Sequence, residues 1–369
     1  MKLRCIPGKD YKPFCVIQRV SAENRQGMIR WKGMSTPVPT FQIGPIPVYG
    51  DLLLAPMDGI TDLPFRLLTR RLGSAVSYTE FITAGDVIHG TPYLPRRLAY
   101  REEERPFGFQ LCDDQPDRIL QAALKLCELK PDFIDINLGC SARHVSGRGA
   151  GAGLLKTPEK IAEIFSGLTQ NLPVPVTAKI RLGWDENTRN YLQIAQTIVE
   201  NGGALIAVHG RTRAQQYTGR ADWQAIAEVV RAVPVPVIAN GDVTCTADIE
   251  RIKDLTGCAA VMVGRAAVGN PWIFSRLDRS QVPLAAVQET MHMHLREMLA
   301  YYGSPDGLVR FRKFTRAYLA PYPLPRERLT PLLTCSDPNT FVHLLDDIFV
   351  LLLSLPPADP SLSTLNITE

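Results

Sequence analysis

From Gly50 onward, short apolar runs recur along the chain, each followed by a stretch whose spacing suits a helix. The runs cover 52–55, 75–78, 107–111, 133–136, 174–180, 205–208, 235–239 and 259–263. Runs this short, rich in Val, Ile, Leu and Ala, read as strands buried on both faces. Eight strand and helix units in sequence predict a (β/α)8 TIM barrel, which typically takes about 250 residues. In the fourth unit Thr157 and Pro158 predict a helix start, with Thr as cap and Pro in the first turn. Beyond Pro283 the period changes. Leu284, Val287, Met291, Leu295, Met298 and Tyr302 follow helical spacing, and 308–319 and 341–355 give further amphipathic segments. These predict a small all-helical C-terminal domain. Residues 1–45 carry little periodicity and several prolines, so an irregular arm is expected there. Met34 is a candidate translation start within it. The expected divisions are therefore an arm at 1–45, a barrel at 46–283, a helical domain at 284–356 and a disordered tail at 357–369.

Polar residues stand at the C-terminal end of every predicted strand. In order these are Pro56, Met57 and Asp58, then Glu80, Gln110, Asn137 with Cys140, Lys179 with Arg181, His209 with Arg211, Asn240-Gly241-Asp242, and Gly264-Arg265. In a parallel barrel these ends converge on one face, where ligands bind. Singly, each reads as a solvated strand terminus; together they predict a site. The loops after strands seven and eight, with Gly241, Gly264 and Arg265, suit a phosphate. No Walker loop and no strand-linked G-x-G-x-x-G is present, so a nucleotide held by a P-loop or Rossmann unit is not supported.

Charge refines the picture only locally. The net charge is +4, and residues 1–34 alone carry a surplus of six positive charges, so the rest is nearly balanced. Arg312, Lys313 and Arg316 share a face of the second C-terminal helix, which suits a phosphate-bearing partner as well as plain solvation. The eight cysteines are scattered, with no C-x-x-C pair and no zinc spacing, so neither a disulfide framework nor a metal site is expected. No apolar run approaches the roughly 18 residues of a membrane span, and no charged-then-apolar leader is read at the start. A cytoplasmic location and a monomeric state are the expectations.

Cys140 lies in the stretch FIDINLGCSARHVSGRGAGAGLL, where a strand gives way to glycines and to Arg143, His144 and Arg148. Alone, this reads as a flexible loop holding a half-buried thiol. Set among the converging strand ends, the thiol has two candidate roles. Near its ordinary pKa of about 8.5 it is mostly protonated and can act as a general acid. Lowered by the nearby cations, it would be a thiolate nucleophile.

At these residues the chain resembles the tRNA-dihydrouridine synthase family, especially its bacterial members. The resemblance covers roughly residues 43–350 and rests on APMDGITD (55–62), DINLGC (135–140), KIRLGW (179–184), HGRTR (209–213), IANGDV (238–243) and MVGRAAVGNPWIF (262–274). It implies an FMN-dependent oxidoreductase that reduces the C5=C6 bond of particular tRNA uridines, with NADPH as electron source. Hydride would pass from flavin N5 to C6 and a proton from Cys140 to C5 of a base flipped out of the tRNA. Carried over by position, the resemblance places Pro56, Met57 and Asp58 against the flavin, and Gln110 and Lys179 on its ring. His209, Asn240, Gly241, Asp242, Gly264 and Arg265 would hold its ribityl phosphate. Asn137 would face the uracil, with Arg181 and Arg211 assisting, and the helical domain would grip tRNA through Arg312, Lys313 and Arg316.

Two departures stand out. Ser141 occupies the position after the cysteine where the family usually has Pro, and Asp58 stands where many relatives have a small residue. The competing readings are a barrel flavin oxidoreductase acting on a free pyrimidine or a small enone, and a non-catalytic RNA-binding relative.

Overall fold

The computed structural model describes residues 38–354. Eight strands form the main ladder of one parallel sheet: β1 (Leu52–Leu54), β2 (Ser77–Tyr78), β3 (Phe107–Cys112), β4 (Phe133–Leu138), β5 (Val176–Arg181), β6 (Leu205–His209), β7 (Val237–Asn240) and β8 (Ala260–Val263), and a two-residue strand, Ile82–Thr83, adds to β3. Each of the eight predicted runs supplies one of them. The ladder runs from β2 through β3 to β8 and returns to β1, where Leu53 pairs with Met262. The Ala75 amide donates to the Leu52 carbonyl at 2.7 Å and brings the two ends together. The sheet is thus a (β/α)8 barrel.

Seven helices follow the first seven strands: α1 (Leu63–Arg71), α2 (Ala84–His89), α3 (Pro116–Cys127), α4 (Pro158–Asn171), α5 (Tyr191–Glu200), α6 (Trp223–Ala232) and α7 (Thr246–Thr256). Helix α3 shows why they form. Ile119, Ala122, Ala123 and Leu126 recur at helical spacing and are the residues it buries. The carboxylate of Asp62 caps α1 by accepting from the Phe65 amide at 3.2 Å. Helix α4 begins at Pro158 as expected, but the Thr157 hydroxyl donates to the Leu154 carbonyl at 3.3 Å instead of capping the helix.

The barrel interior divides into two levels. At the N-terminal level Leu53, Val76, Phe133, Leu205, Ile238 and Ala260 form an apolar plug. A hairpin, Phe41–Ile43 against Ile46–Val48, buries Phe41, Ile43 and Val48 against that plug. This corrects the expected boundary of the irregular arm. Residues 41–43 alternate inward and outward, and Gly44 at φ +56° makes the tight turn. The candidate start at Met34 and the tail at 357–369 lie outside the described residues.

Four helices follow the barrel: α8 (Leu284–Tyr302), α9 (Asp306–Leu319), α10 (Arg326–Thr334) and α11 (Pro338–Ser354). Helix α10 has no clear apolar period and contains Pro331, so its pattern did not announce it. The four do not stand apart: residues 39–354 pack as one unit. His294 of α8 is buried between Phe65 of α1, stacked at 5.7 Å, and Phe311, Phe314 and Tyr318 of α9.

Candidate active site

Side chains alternate across a strand, so residues two apart share a face. On β3, β4 and β5 the inward positions near the C-terminal end are Gln110, Asp135, Asn137, Thr177, Lys179 and Arg181. His209 and Asn240 continue the set on β6 and β7. The register makes Asn137 a neighbour of Lys179, Arg181 of His209, and His209 of Asn240. Above them opens a cavity of about 1120 Å³, lined among others by Met57, Cys140, Lys179, Arg181, Asn240 and Arg265.

Most of the expected residues meet here. Pro56, Asp58, Asn137, His209, Gly241, Asp242 and Gly264 also border the cavity. Gly241, at φ +123°, is needed for a local reason. A Cβ there would come within 2.7 Å of Ala221 and 3.0 Å of the His209 ring.

Others are drawn into the protein. Gln110 is buried beneath the cavity, bonded to Asp135 and Asn137 at 2.7 Å each. Arg211 is also buried. Its guanidinium grips Asp242 bidentately at 2.7 and 2.8 Å and donates to the Thr218 and Gly219 carbonyls. It therefore shapes the wall and has no direct view of the cavity. Arg312 donates to the carbonyls of Thr334 and Cys335, closing the C-terminal end of α10. Only Arg316 of the three expected cations on α9 is fully exposed. The expected basic face is thus broken up.

Sequence reasoning also missed parts of the wall. Phe81, Tyr217, Asn270 and Arg279 border the cavity, as do Ala317, Ala320 and Pro321 from the helical region. Arg265 stacks on the Tyr217 ring at 4.9 Å. Neither Tyr217 nor Arg279 ends a strand, so strand-end reading could not reach them.

The electrostatics are one-sided. Lys179, Arg181 and Arg265 face the cavity, while its two carboxylates are already paired, Asp58 with Arg97 at 2.9 Å and Asp242 with Arg211. Burial, with Arg181 adding to it, pushes the Lys179 ammonium down to about 8. Burial and then the cations Lys179, Arg181, Arg211 and Arg265 hold His209 well below its ordinary pKa, so its imidazole is neutral. Arg211 can only donate, at 3.4 Å, to His209 Nε2, which places the ring proton on Nδ1.

Cys140 is half-buried at the cavity edge. Burial pushes its thiol up, Asp58 adds to this, and the Ala142 amide, Arg181 and Lys179 oppose it. The balance lies above the ordinary thiol value, which favours the protonated form over a thiolate. Gly151, at φ +56°, lets the chain close over this turn, because a Cβ would meet the Cys140 Cβ at 2.9 Å. The segment after Cys140 forms a helical turn, Arg143–Ser146, and the Ala152 amide donates to the Cys140 carbonyl.

The profile of the family described as dihydrouridine synthase (Dus) matches residues 53–334. The chain belongs to this family. Its members among curated proteins include "tRNA-dihydrouridine synthase B" of Pseudomonas aeruginosa, 38% identical, covering 78% of this chain and 89% of the relative. The protein of the same name from Xanthomonas axonopodis pv. citri is 37% identical over 86% of this chain and 98% of its own length. A "Probable tRNA-dihydrouridine synthase" of Rhodobacter capsulatus is 36% identical over 81% and 94%. This dihydrouridine synthase family member is accordingly an oxidoreductase of the flavin-dependent class. The cavity fits such a cofactor. Lys179, Arg181 and Arg265 suit a phosphate and an electron-rich ring edge, with Arg265 standing 3.7 Å from Asp242, and the Gly264 backbone borders the cavity without a side chain. Among the described residues no group of three or more His, Cys, Asp or Glu could hold a metal, and no helix is long and apolar enough to cross a membrane.

Proposed function

We propose that the chain is a cytoplasmic tRNA-dihydrouridine synthase that reduces the C5=C6 bond of specific uridines, with FMN as cofactor and NADPH as reductant. The observation that carries this reading is a half-buried Cys140 thiol, its pKa pushed up by burial, at the edge of a cation-lined barrel cavity. FMN, when bound, supplies the hydride for C6 of the uracil. The chain's own residues do the rest. Lys179 and Arg265 hold negative charge, and neutral His209 with the bare backbone at Gly241 and Gly264 lines the ribityl phosphate end. Lys179 is held in place by Asn240, whose Oδ1 accepts from its Nζ at 3.1 Å. Cys140 gives its proton to C5, and Arg181 steadies the cysteine turn by donating from Nε to the Gly139 carbonyl at 2.9 Å. Arg181 also donates to the Thr212 and Gln216 carbonyls, joining the cysteine turn to the wall that carries Tyr217.

A base stacked within a helix keeps its C5=C6 bond out of reach of a site at the end of a barrel, so the uridine enters flipped out, as enzymes acting on bases require. The exposed Arg316 of α9 is a contact for the phosphate backbone. The test is a map of dihydrouridine positions in tRNA from cells with and without the gene. Loss of dihydrouridine at one or more sites is expected, restored by the purified enzyme with FMN and NADPH. Purified protein that reduces a free pyrimidine or a small enone but no tRNA uridine would overturn the assignment.

A further inference from the structure

Beneath the cavity lies a buried carboxyl for which the chemistry above has no use. Asp135 on β4 is 1% exposed, and its register neighbours on β3 and β5 are Gln110 and Thr177. Its Oδ1 accepts from the Thr177 hydroxyl at 2.6 Å and its Oδ2 from Gln110 Nε2 at 2.7 Å. Gln110 Oε1 accepts from Asn137 Nδ2 at 2.7 Å. Asn137 Oδ1 in turn accepts the backbone N–H groups of Gly139, at 3.0 Å, and Cys140, at 2.8 Å.

The polarity of this chain of bonds is fixed from its upper end. Backbone N–H groups only donate, so Asn137 must turn its oxygen toward them. Its amide nitrogen then faces Gln110, which must answer with oxygen and point its own nitrogen downward. Whatever lies below must accept. A carboxylate does so with either oxygen, whereas a neutral amide there could turn either way. Reversing one amide anywhere in the chain would set donor against donor in a buried place, which costs more than the lost bond.

We propose that Asp135 is a positioning residue: through Gln110 and Asn137 it orients the Cys140 amide, and so sets where the thiol stands in the cavity. The inference rests on Cys140 as the proton donor of the proposed reaction. Asp135 touches neither cofactor nor substrate in this scheme, so its removal acts through the geometry of the turn. Displacement of a reacting group by about 1 Å can cost on the order of 100-fold in rate.

The experiment replaces Asp135 in the flavin-loaded enzyme and follows three readouts: flavin content, uridine reduction per bound flavin, and alkylation of the Cys140 peptide by iodoacetamide. Asp135→Leu is expected to lower kcat per bound flavin by about 10- to 100-fold with the tRNA KM unchanged. It is also expected to raise the alkylation rate several-fold, because the thiol is no longer held. Asp135→Asn keeps an oxygen for Gln110 and lets the Thr177 hydroxyl accept, so kcat and alkylation stay within a few-fold of the wild type. An Asp135→Leu enzyme that loses only flavin or thermal stability, with wild-type kcat per flavin and wild-type alkylation, overturns the proposal. Where that variant does not fold, Gln110→Leu cuts the relay one step higher and is read in the same way, wild-type values again overturning it. A wild-type enzyme that reduces no tRNA uridine refutes the functional reading instead, and the alkylation rates still decide the relay.

Discussion

Replacing Arg211 separates a wall-building arginine from a substrate-binding one. The guanidinium is 2% exposed and makes five hydrogen bonds, two to Asp242, one each to the Thr218 and Gly219 carbonyls and one to His209 Nε2. In Arg211→Met an unbranched apolar chain occupies the space. Asp242 is left with the Ala221 amide at 2.7 Å and the distant Arg265 guanidinium at 3.7 Å. Removing one partner of a fully buried pair costs about 3–5 kcal/mol, but Asp242 is 29% exposed and keeps those two partners, so the loss should be about 1–3 kcal/mol. At about 2 °C per kcal/mol for a chain of this size, the melting temperature of the flavin-free protein should fall by about 2–6 °C. The segment carrying Tyr217 loosens with it, so flavin binding should weaken as well. Circular dichroism on heating, together with tRNA binding at two salt concentrations, is the assay. Tight tRNA binding with an unchanged salt slope is expected, since Arg211 neutralises no phosphate. An unchanged melting temperature with weaker, less salt-dependent tRNA binding would refute this reasoning and restore Arg211 as a direct substrate contact.

The cations of α9 should divide in the same manner. Arg312→Gln removes the donor to the carbonyls of Thr334 and Cys335 and should lower the melting temperature without altering tRNA affinity. The exposed Arg316→Gln should leave stability alone and reduce the salt slope of tRNA binding by about one. Acid sensitivity should trace in part to His294, whose pKa burial pushes down to about 3. Its folded pKa is depressed, so its contribution is fully present above the unfolded value of about 6.5 and is lost as pH falls. At about 1.4 kcal/mol per pH unit, the loss reaches about 2 kcal/mol at pH 5. Urea unfolding of His294→Phe should be flatter than wild type between pH 7 and pH 5 by that amount; an equal slope would show that His294 is not the sensitive group.

The barrel was legible because each strand is buried on both faces and reads as a continuous apolar run. The polar residue ending each run marked the face of the site. Alternation also tells which strand residues point inward, but not how far a side chain lies below the opening. Gln110 and Asn137 carry the same amide and both point inward. Only the closed barrel shows that Gln110 is buried under the floor while Asn137 borders the cavity. Arg181 and Arg211 were equally placed as strand-end arginines. Their fates differ because Asp242 turns toward Arg211, a contact between residues 31 apart that no local pattern reveals. The basic face of α9 failed for a similar reason. Helical spacing puts Arg312 beside Arg316, but the end of α10, an element without a periodic signal, takes Arg312 for its carbonyls. The N-terminal hairpin escaped notice because two strands of three residues, interrupted by prolines, are too short to show a period.

The central claim is that Cys140 is the proton donor at a flavin site, and Cys140→Ala tests it most directly. The substitution removes the proton donor and leaves Lys179, His209, Asn240 and Arg265 untouched. Purified Cys140→Ala should carry FMN in the wild-type amount and be bleached by NADPH at the wild-type rate, while uridine reduction in tRNA falls by about 100-fold or more. Unimpaired uridine reduction in that variant, with flavin content and flavin reduction both normal, would contradict the claim.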